Sequence, residues 1–205
     1  MDFIALTQAC APQVAHETMA AIIKTESSFQ PFAIGVNGGA KLVRQPKTKE
    51  EAIVTANWLI KNGYNIDLGL GQINSSNLPK INLSIEDAFE PCKNIAAAAT
   101  ILHSNYLIAS RKTQGNQAAL YAALSAYNTG SFAKGFSNGY VQKVINNAHT
   151  STSIVPKITS PKTPLLNRKN KENVIKISVE KVEKTRSQIS ETNVYQAPTN
   201  NVMVY

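Results

Sequence analysis

The sequence predicts a mainly α-helical domain over residues 1–150, holding one small extended region, and a flexible tail over residues 151–205. Three observations predict this. Apolar residues recur at helical spacing in five separate segments. Between two of these segments lies Asp67-Leu68-Gly69-Leu70-Gly71-Gln72-Ile73-Asn74, in which small and apolar residues alternate as in extended chain. After His149 glycine and Phe disappear, while Pro156, Pro161, Pro164 and Pro198 stand among Ser, Thr, Asn and Lys, a composition that does not support a packed core.

The first helix is expected over residues 12–27, opened by Pro12 at a first-turn position. Phe29-Gln30-Pro31-Phe32 breaks it, and Gly35, Gly38 and Gly39 mark a turn-rich loop. Lys41 to Val43 suits a short strand stopped by Pro46. Thr48 caps the second helix, with Glu50 and Glu51 in the first turn, where the helix dipole favours acids. Its apolar face is Ala52, Ala56, Leu59 and Ile60, and Gly63 ends it. Ser84 and Asp87 resemble a capping pair for a short helix at Ile85–Phe89, which Pro91 interrupts. A longer helix follows at about 94–111, with Ile95, Ala98, Ala99, Leu102 and Tyr106 in phase. Its alanines suit close helix–helix approach. Asn116 caps the next helix, where Leu120, Leu124 and Tyr127 share a face before the turn sequence Asn128-Thr129-Gly130. A last helix spans about 139–149, with Val141, Val144 and Ile145. In the tail, Ile175, Ile177 and Val179 alternate with Lys176 and Ser178 and could add as a strand to a partner's sheet edge. The alternative is a solvated tail with scattered apolar residues.

The net charge of +8 is unevenly placed. Residues 1–150 carry 12 Lys and Arg against 9 Asp and Glu, and residues 151–205 carry 9 against 4. The basic excess therefore sits in the tail. This argues against a nucleic-acid-binding main body and suits contact with an anionic polymer, a membrane surface or an acidic partner. No apolar run approaches the ~20 residues of a membrane span. Phe3-Ile4-Ala5-Leu6 has no basic residue before it and falls short of the ~7–15 apolar residues of a secretory signal. Any export is thus expected by an unusual route, or of a sequence given after or without its leader. Cys10 and Cys92 lie in no CxxC or CxxH spacing, so a metal site is not expected. The pair permits one disulfide, or else two buried free thiols.

Glu26 is the residue with the clearest chemical potential. Met19, Ile22 and Ile23 stand seven, four and three positions before it, on one helix face. A lone acid on an apolar stripe is costly to ionise, so its pKa is raised, as a general acid near neutral pH requires. The alternative is a solvated helix end that finishes in Glu.

Three segments then stand together: Glu26-Ser27-Ser28-Phe29-Gln30-Pro31, Gly69-Leu70-Gly71-Gln72-Ile73-Asn74 and Ala126-Tyr127-Asn128-Thr129-Gly130. In this order and spacing they resemble the soluble lytic transglycosylases of the goose-type-lysozyme-like superfamily, over roughly residues 5–148. The insertion Leu42-Val43-Arg44-Gln45-Pro46 is similar to the branch that serves type IV secretion and conjugation. The resemblance implies a lysozyme-like α+β domain acting on peptidoglycan without cofactor or metal. Glu26 matches the single acid and base. It would protonate the oxygen joining N-acetylmuramic acid to N-acetylglucosamine, then take the proton of the muramyl 6-hydroxyl as a 1,6-anhydro ring closes. The substrate's N-acetyl group replaces an enzymic nucleophile, as substrate-assisted glycosidases allow. Ser27 matches a residue supporting the catalytic segment, and Gln72 and Asn74 a cleft wall that binds sugar. Tyr127 and Asn128 match a motif that brings a Tyr hydroxyl near the carboxylate. Gly71 stands where many relatives carry a Met that packs on an acetamido group, which leaves the subsites open. Plainer roles also fit: Ser27 as a helix-end cap, Gln72 and Asn74 as strand-edge partners, Tyr127 as core and Asn128 as a turn residue.

The resemblance further implies glycan strands as substrate, secretion components as partners of the tail, and the periplasm as compartment, where Cys10 and Cys92 would pair. The rival readings are a hydrolytic muramidase, with Asp67 as the second carboxylate, and an assembly factor whose cleft binds glycan without cutting it.

Overall fold

The computed structural model describes residues 3–150 and the two-residue strand 174–175. The chain runs α1 (Phe3–Cys10), α2 (His16–Ser27), β1 (Ile34–Val36), β2 (Lys41–Leu42), α3 (Lys49–Lys61), β3 (Ile66–Leu68) and β4 (Ile73–Asn74). Two 3-10 turns follow (Ser75–Asn77 and Pro79–Ile81), then α4 (Ile85–Ala88), α5 (Pro91–Ser110), α6 (Asn116–Thr129), α7 (Lys134–Ser137), α8 (Tyr140–Thr150) and β5 (Val174–Ile175). The mainly helical fold with a small sheet is the expected one. β1, β3 and β4 form an antiparallel sheet in the order β1-β3-β4, with Gly35 opposite Asp67 and Asp67 opposite Asn74. β5 runs parallel to β2 and pairs with it. The alternating tail positions Ile177 and Val179 lie outside the described residues, as does the rest of the tail. Among the described residues, no helix is long and apolar enough to cross a membrane.

Several boundaries differ from the sequence expectation. α2 starts at His16 rather than Pro12, and a separate helix, α1, precedes it. Pro12 follows Ala11 at the end of α1, where the residue before a proline is driven out of helical geometry. It therefore closes α1 instead of opening α2. α1 has only eight residues, and its buried stripe, Phe3, Thr7 and Cys10, is interrupted by a polar Thr, so the helical period is too short to read from the sequence. Pro91 occupies the first turn of α5 and starts that helix three residues early, its fixed φ being suited to the position. Asn116 is the first residue of α6 and not its cap; the preceding Gly115 has φ +88° and no side chain caps the helix. Residues 67–74 are two strands joined by a turn and not one extended segment. Gly69 at φ +72° and Gln72 at φ +48° reverse the chain. On α3, Thr48 caps as expected by accepting from the Glu51 amide; of the expected apolar face Ala52, Ala56 and Leu59 are buried, Ile60 is exposed, and Thr55 is buried in its place.

The core lies between α2, α5, α6 and α8, with α1 covering one end. Met19, Ile22 and Ile23 of α2 are fully buried, each worth roughly 1.5–3 kcal/mol of burial. α5 and α6 lie side by side on small residues, Ala97, Ala98 and Ala99 from one and Ala119, Ala122, Ala123 and Ala126 from the other. The segment before α3 is tied down by Gln45. Its Oε1 accepts from the Ile34 amide at 2.8 Å and its Nε2 donates to the Ile34 carbonyl at 3.0 Å, completing the outer edge of β1 as a strand would.

Cys10 at the end of α1 is disulfide-bonded to Cys92 in the first turn of α5, 82 residues away. Loop-closure entropy for a ring of that size is worth about 4 kcal/mol, less in practice. Reduction is therefore expected to lower the melting temperature by on the order of 10 °C. Thermal unfolding with and without a reductant, followed by circular dichroism, measures it; an unchanged midpoint would show that α1 is held by packing alone.

Candidate active site

Glu26 sits in the last turn of α2, on the apolar stripe of that helix. The helix stops sharply behind it. Ser28 adopts φ +52° and returns its amide to the Lys24 carbonyl at 3.2 Å, and Phe29 follows at φ +65°. Two consecutive non-glycine residues in left-handed geometry are uncommon. Here they turn the chain away, so the carboxyl group emerges from the core into a cleft instead of being covered by its own strand. Tyr140, at the start of α8, donates its hydroxyl to Glu26 Oε1 at 2.5 Å. Burial raises the Glu26 pKa from the usual 4.5 to about 7; the Tyr140 hydrogen bond opposes this, the Asp67 charge adds to it, and Lys143 opposes it.

The facing wall is the turn between β3 and β4. Gly71 is held from both sides. Its amide donates to Asn94 Oδ1 at 2.7 Å, and its carbonyl accepts from the Tyr127 hydroxyl at 2.6 Å. Asn94 is buried in α5, and its Nδ2 donates to the Leu68 and Ala88 carbonyls at 2.9 and 2.7 Å. The glycines make this possible. A Cβ on Gly69 would lie 2.4 Å from Asn94 Nδ2, and one on Gly71 2.7 Å from Ala98 Cβ and 2.9 Å from the Tyr127 oxygen. The space the glycines leave is therefore filled by the protein itself, and a Met at position 71 would not fit without displacing these groups.

The cleft between the two walls has a volume of about 690 Å³. Glu26, Asp67, Gln72 and Asn74 line it, continued by Asn77 and Lys80 beyond β4 and by Thr100, Ser104 and Asn105 from α5. Tyr127 and Asn128 close it from α6. Five of the six residues singled out from the sequence as catalytic or supporting thus meet in one place. Gln72 donates to the Ala33 and Gly69 carbonyls at 3.2 and 2.8 Å. Asn74 donates to Asn65 and Asp67 at 2.6 and 2.8 Å. Ser27, the sixth, is buried behind the site and donates to the Ile23 carbonyl at 3.2 Å. Asn128 accepts from Asn138, whose Oδ1 in turn accepts the Tyr140 amide. The cysteines lie apart from the cleft. Among the described residues no group of three or more His, Cys, Asp or Glu could hold a metal ion.

Two residues that sequence reasoning passed over are central. The hydroxyl bound to the carboxylate belongs to Tyr140, while that of Tyr127 goes to Gly71. Tyr140 stands beside Val141, in phase with Val144, so it carries the signal of a core position and no other. Asn94 had only its place among apolar helix residues to mark it, a buried amide that must find partners.

A single carboxyl that is protonated near neutrality and faces a groove of amides and hydroxyls can give a proton to a bound ether oxygen and take one back. The raised pKa also carries a stability cost. The native state keeps the Glu26 proton where the unfolded chain has lost it, between roughly pH 4.5 and 7. Its contribution is complete below pH 4.5 and is lost as pH rises through 7, a difference of roughly 3 kcal/mol. Glu26→Gln is therefore expected to match the parent in stability at pH 4 and to exceed it by about 2–3 kcal/mol at pH 8. Denaturant titrations at the two pH values test this; a variant less stable at pH 8 would mean that the charged form is well accommodated.

The family model described as "Transglycosylase SLT domain" matches residues 3–150. The type IV secretion system protein virB1 of Brucella suis biovar 1 is 47% identical over 173 residues, covering 80% of this chain and 71% of that protein. Protein virB1 of Agrobacterium tumefaciens (strain 15955) is 40% identical over 161 residues, covering 78% and 65%. Protein virB1 of Agrobacterium fabrum is 36% identical over 159 residues, covering 78% and 63%. No solved structure gives a significant match. A match spanning α1 to α8, and with them both walls of the cleft, makes this chain a member of the transglycosylase SLT domain family.

Proposed function

We propose that Glu26 is the sole acid and base of a peptidoglycan lytic transglycosylase that opens the cell wall for a type IV secretion apparatus. The observation that carries the reading is the placement of Glu26: one carboxyl, pushed up to about 7 by burial, bound to Tyr140 and lining a polar cleft. A glycan strand lies along the cleft. The Glu26 proton passes to the glycosidic oxygen, and the bonding pair leaves with the N-acetylglucosamine 4-oxygen. The muramyl acetamido oxygen closes on C1. The 6-hydroxyl oxygen then displaces it, its proton returns to Glu26, and a 1,6-anhydromuramyl end results. Gln72, Asn74 and Asn128 bind the sugar chain, and Ser27 and Tyr127 support the two walls. Tyr140 donates to the carboxylate in the half of the cycle in which it carries charge.

The named relatives support the secretion context, and the substrate supports the periplasm. The disulfide between Cys10 and Cys92 is in keeping with that compartment. Residues 151–205, the basic segment after the family match, are assigned to contact with secretion components. A hydrolytic muramidase is not favoured, since the matching family model is that of a transglycosylase.

Glu26→Gln is expected to reduce glycan cleavage by at least 10³-fold, the order at which a lost general acid is felt, while the protein stays folded. Mass spectrometry of digested peptidoglycan reads both rate and product: anhydromuramyl ends are expected, and reducing muramyl ends would identify a hydrolase. Deletion of residues 151–205 is expected to leave cleavage intact and to impair secretion; loss of cleavage would instead make the tail part of the enzyme.

A further inference from the structure

Asp67 is the second carboxylate of the cleft, and its surroundings are unlike those of Glu26. On β3, Ile66 and Leu68 are buried on one face of the sheet, so by alternation Asp67 stands on the other, towards the cleft it lines. Its cross-strand neighbours are Gly35 and Asn74. Gly35 contributes no side chain, leaving the carboxylate room. Asn74 Nδ2 donates to Asp67 Oδ1 at 2.8 Å, and Asn37 Nδ2 donates to Oδ2 at 3.0 Å. Both asparagines are held by Asn65, whose Oδ1 accepts from Asn74 at 2.6 Å and from Asn37 at 2.8 Å. Three amides thus fix the carboxylate in direction without neutralising it. Among the described residues no Lys or Arg makes an ion pair with Asp67.

We propose that Asp67 is the counter-charge of the reaction: a carboxylate aimed across the cleft by its asparagine cage to stabilise the positive charge that the substrate's acetamido group acquires when the glycosidic bond breaks. The inference rests on the transglycosylase reading of Glu26. When the C1–O bond breaks, its electron pair leaves with the protonated 4-oxygen. The acetamido oxygen then bonds to C1, and the positive charge spreads over the acetamido N–C–O atoms. It disappears when the 6-hydroxyl oxygen displaces the acetamido group and Glu26 takes the hydroxyl proton. A fixed anion facing the cleft favours that intermediate over the neutral ground state and needs no reorganisation. Neutral donors suit this role better than a cation, because a salt-bridged carboxylate would have its charge already spent. The charged or titratable groups around it are Glu26 from α2, Tyr127 from α6, Lys80 beyond β4, and Tyr140 and Lys143 from α8 through their effect on Glu26. The face that α5 gives the cleft, Thr100, Ile101, Ser104 and Asn105, is uncharged. Asp67 also helps keep Glu26 protonated, since a second negative charge beside it is opposed.

The test is Asp67→Asn in the full chain, assayed on purified sacculi. The expected result is a fall in kcat of about 100-fold, a KM within about twofold of the parent, and a downward shift of the upper pH limit of activity, as Glu26 loses a like-charged neighbour. A merely structural role would move neither the pH limit nor the kcat-to-KM split in this way. Asn65→Ala, an exposed substitution that loosens the cage while keeping the charge, is expected to lower kcat several-fold, and it carries the test should Asp67→Asn not fold. Parent-like kcat and pH limit in the folded Asp67→Asn variant would overturn the proposal. So would a loss confined to KM, or a variant that loses only reducing muramyl ends, which would make Asp67 a base for water. If the parent itself releases no anhydromuramyl ends, the transglycosylase reading fails; if it does and Asp67→Asn matches it, only the role of Asp67 fails.

Discussion

The site depends on keeping one carboxyl group protonated at a helix end that faces a groove. Burial of Glu26 supplies the upward pressure on its pKa, and the hydrogen bond from Tyr140 limits it. These two effects come from opposite ends of the domain, since 114 residues separate the partners. The contact between α2 and α8 is therefore the contact the chemistry requires. Asn147 of α8 adds a second tie, donating to Thr25 of α2 at 2.8 Å. Burial without Tyr140 would leave the ionised form without a donor at the moment the proton has left. Tyr140 without burial would hold Glu26 as an ordinary carboxylate. The balance reached, about 7, suits the acid-then-base role proposed for Glu26.

The second requirement is a rigid wall opposite Glu26, and the Gly71 peptide provides it. Tyr127 holds its carbonyl from α6 and Asn94 holds its amide from α5. The two peptide groups that meet at Gly71 are thus each fixed by a different helix, and Gln72, whose amide belongs to the second of them, inherits that orientation. The left-handed geometry of Gln72, at φ +48°, is the strained step that brings its side chain back over the turn to the Gly69 carbonyl. Glycine at 69 and 71 is a packing requirement of this clamp, because neither helix could approach so closely past a Cβ.

Local chemistry was legible in the sequence where it is settled within a few residues. Thr48 and Ser84 cap their helices as their positions suggest, accepting from the Glu51 and Asp87 amides. Glu26 stands out because its apolar stripe lies on the same helix. What was not legible is set by distant partners. Pro12 and Pro91 can each end one helix or start another, and only the packing of α1 against α5 decides between them. The alternation of residues 67–74 is the same whether the chain runs straight or turns, and the turn that includes Gln72 is held at Gly71 by Asn94 and Tyr127 from other helices. Tyr140 and Tyr127 have equivalent sequence surroundings, each a Tyr on an apolar helix face. Which of the two hydroxyls reaches the carboxylate is a matter of tertiary geometry.

α1 ties these supports together, although none of its residues lines the cleft. At one end its Phe3 packs edge-on against Phe29 with ring centroids 4.6 Å apart, and Phe29 belongs to the left-handed turn that directs Glu26 outward. At the other end Cys10 is bonded to Cys92, two residues before the Asn94 that holds Gly71. One short helix thus joins the base of the Glu26 wall to the base of the Gln72 wall. Eight residues rise only about 12 Å as a helix, so the strap is short and stiff. Breaking the disulfide would free one end while Phe3 still held the other. The effect on the cleft would then be a loss of alignment between two intact walls, which lowers the rate of a reaction needing both at once more than it lowers the binding of a sugar to either.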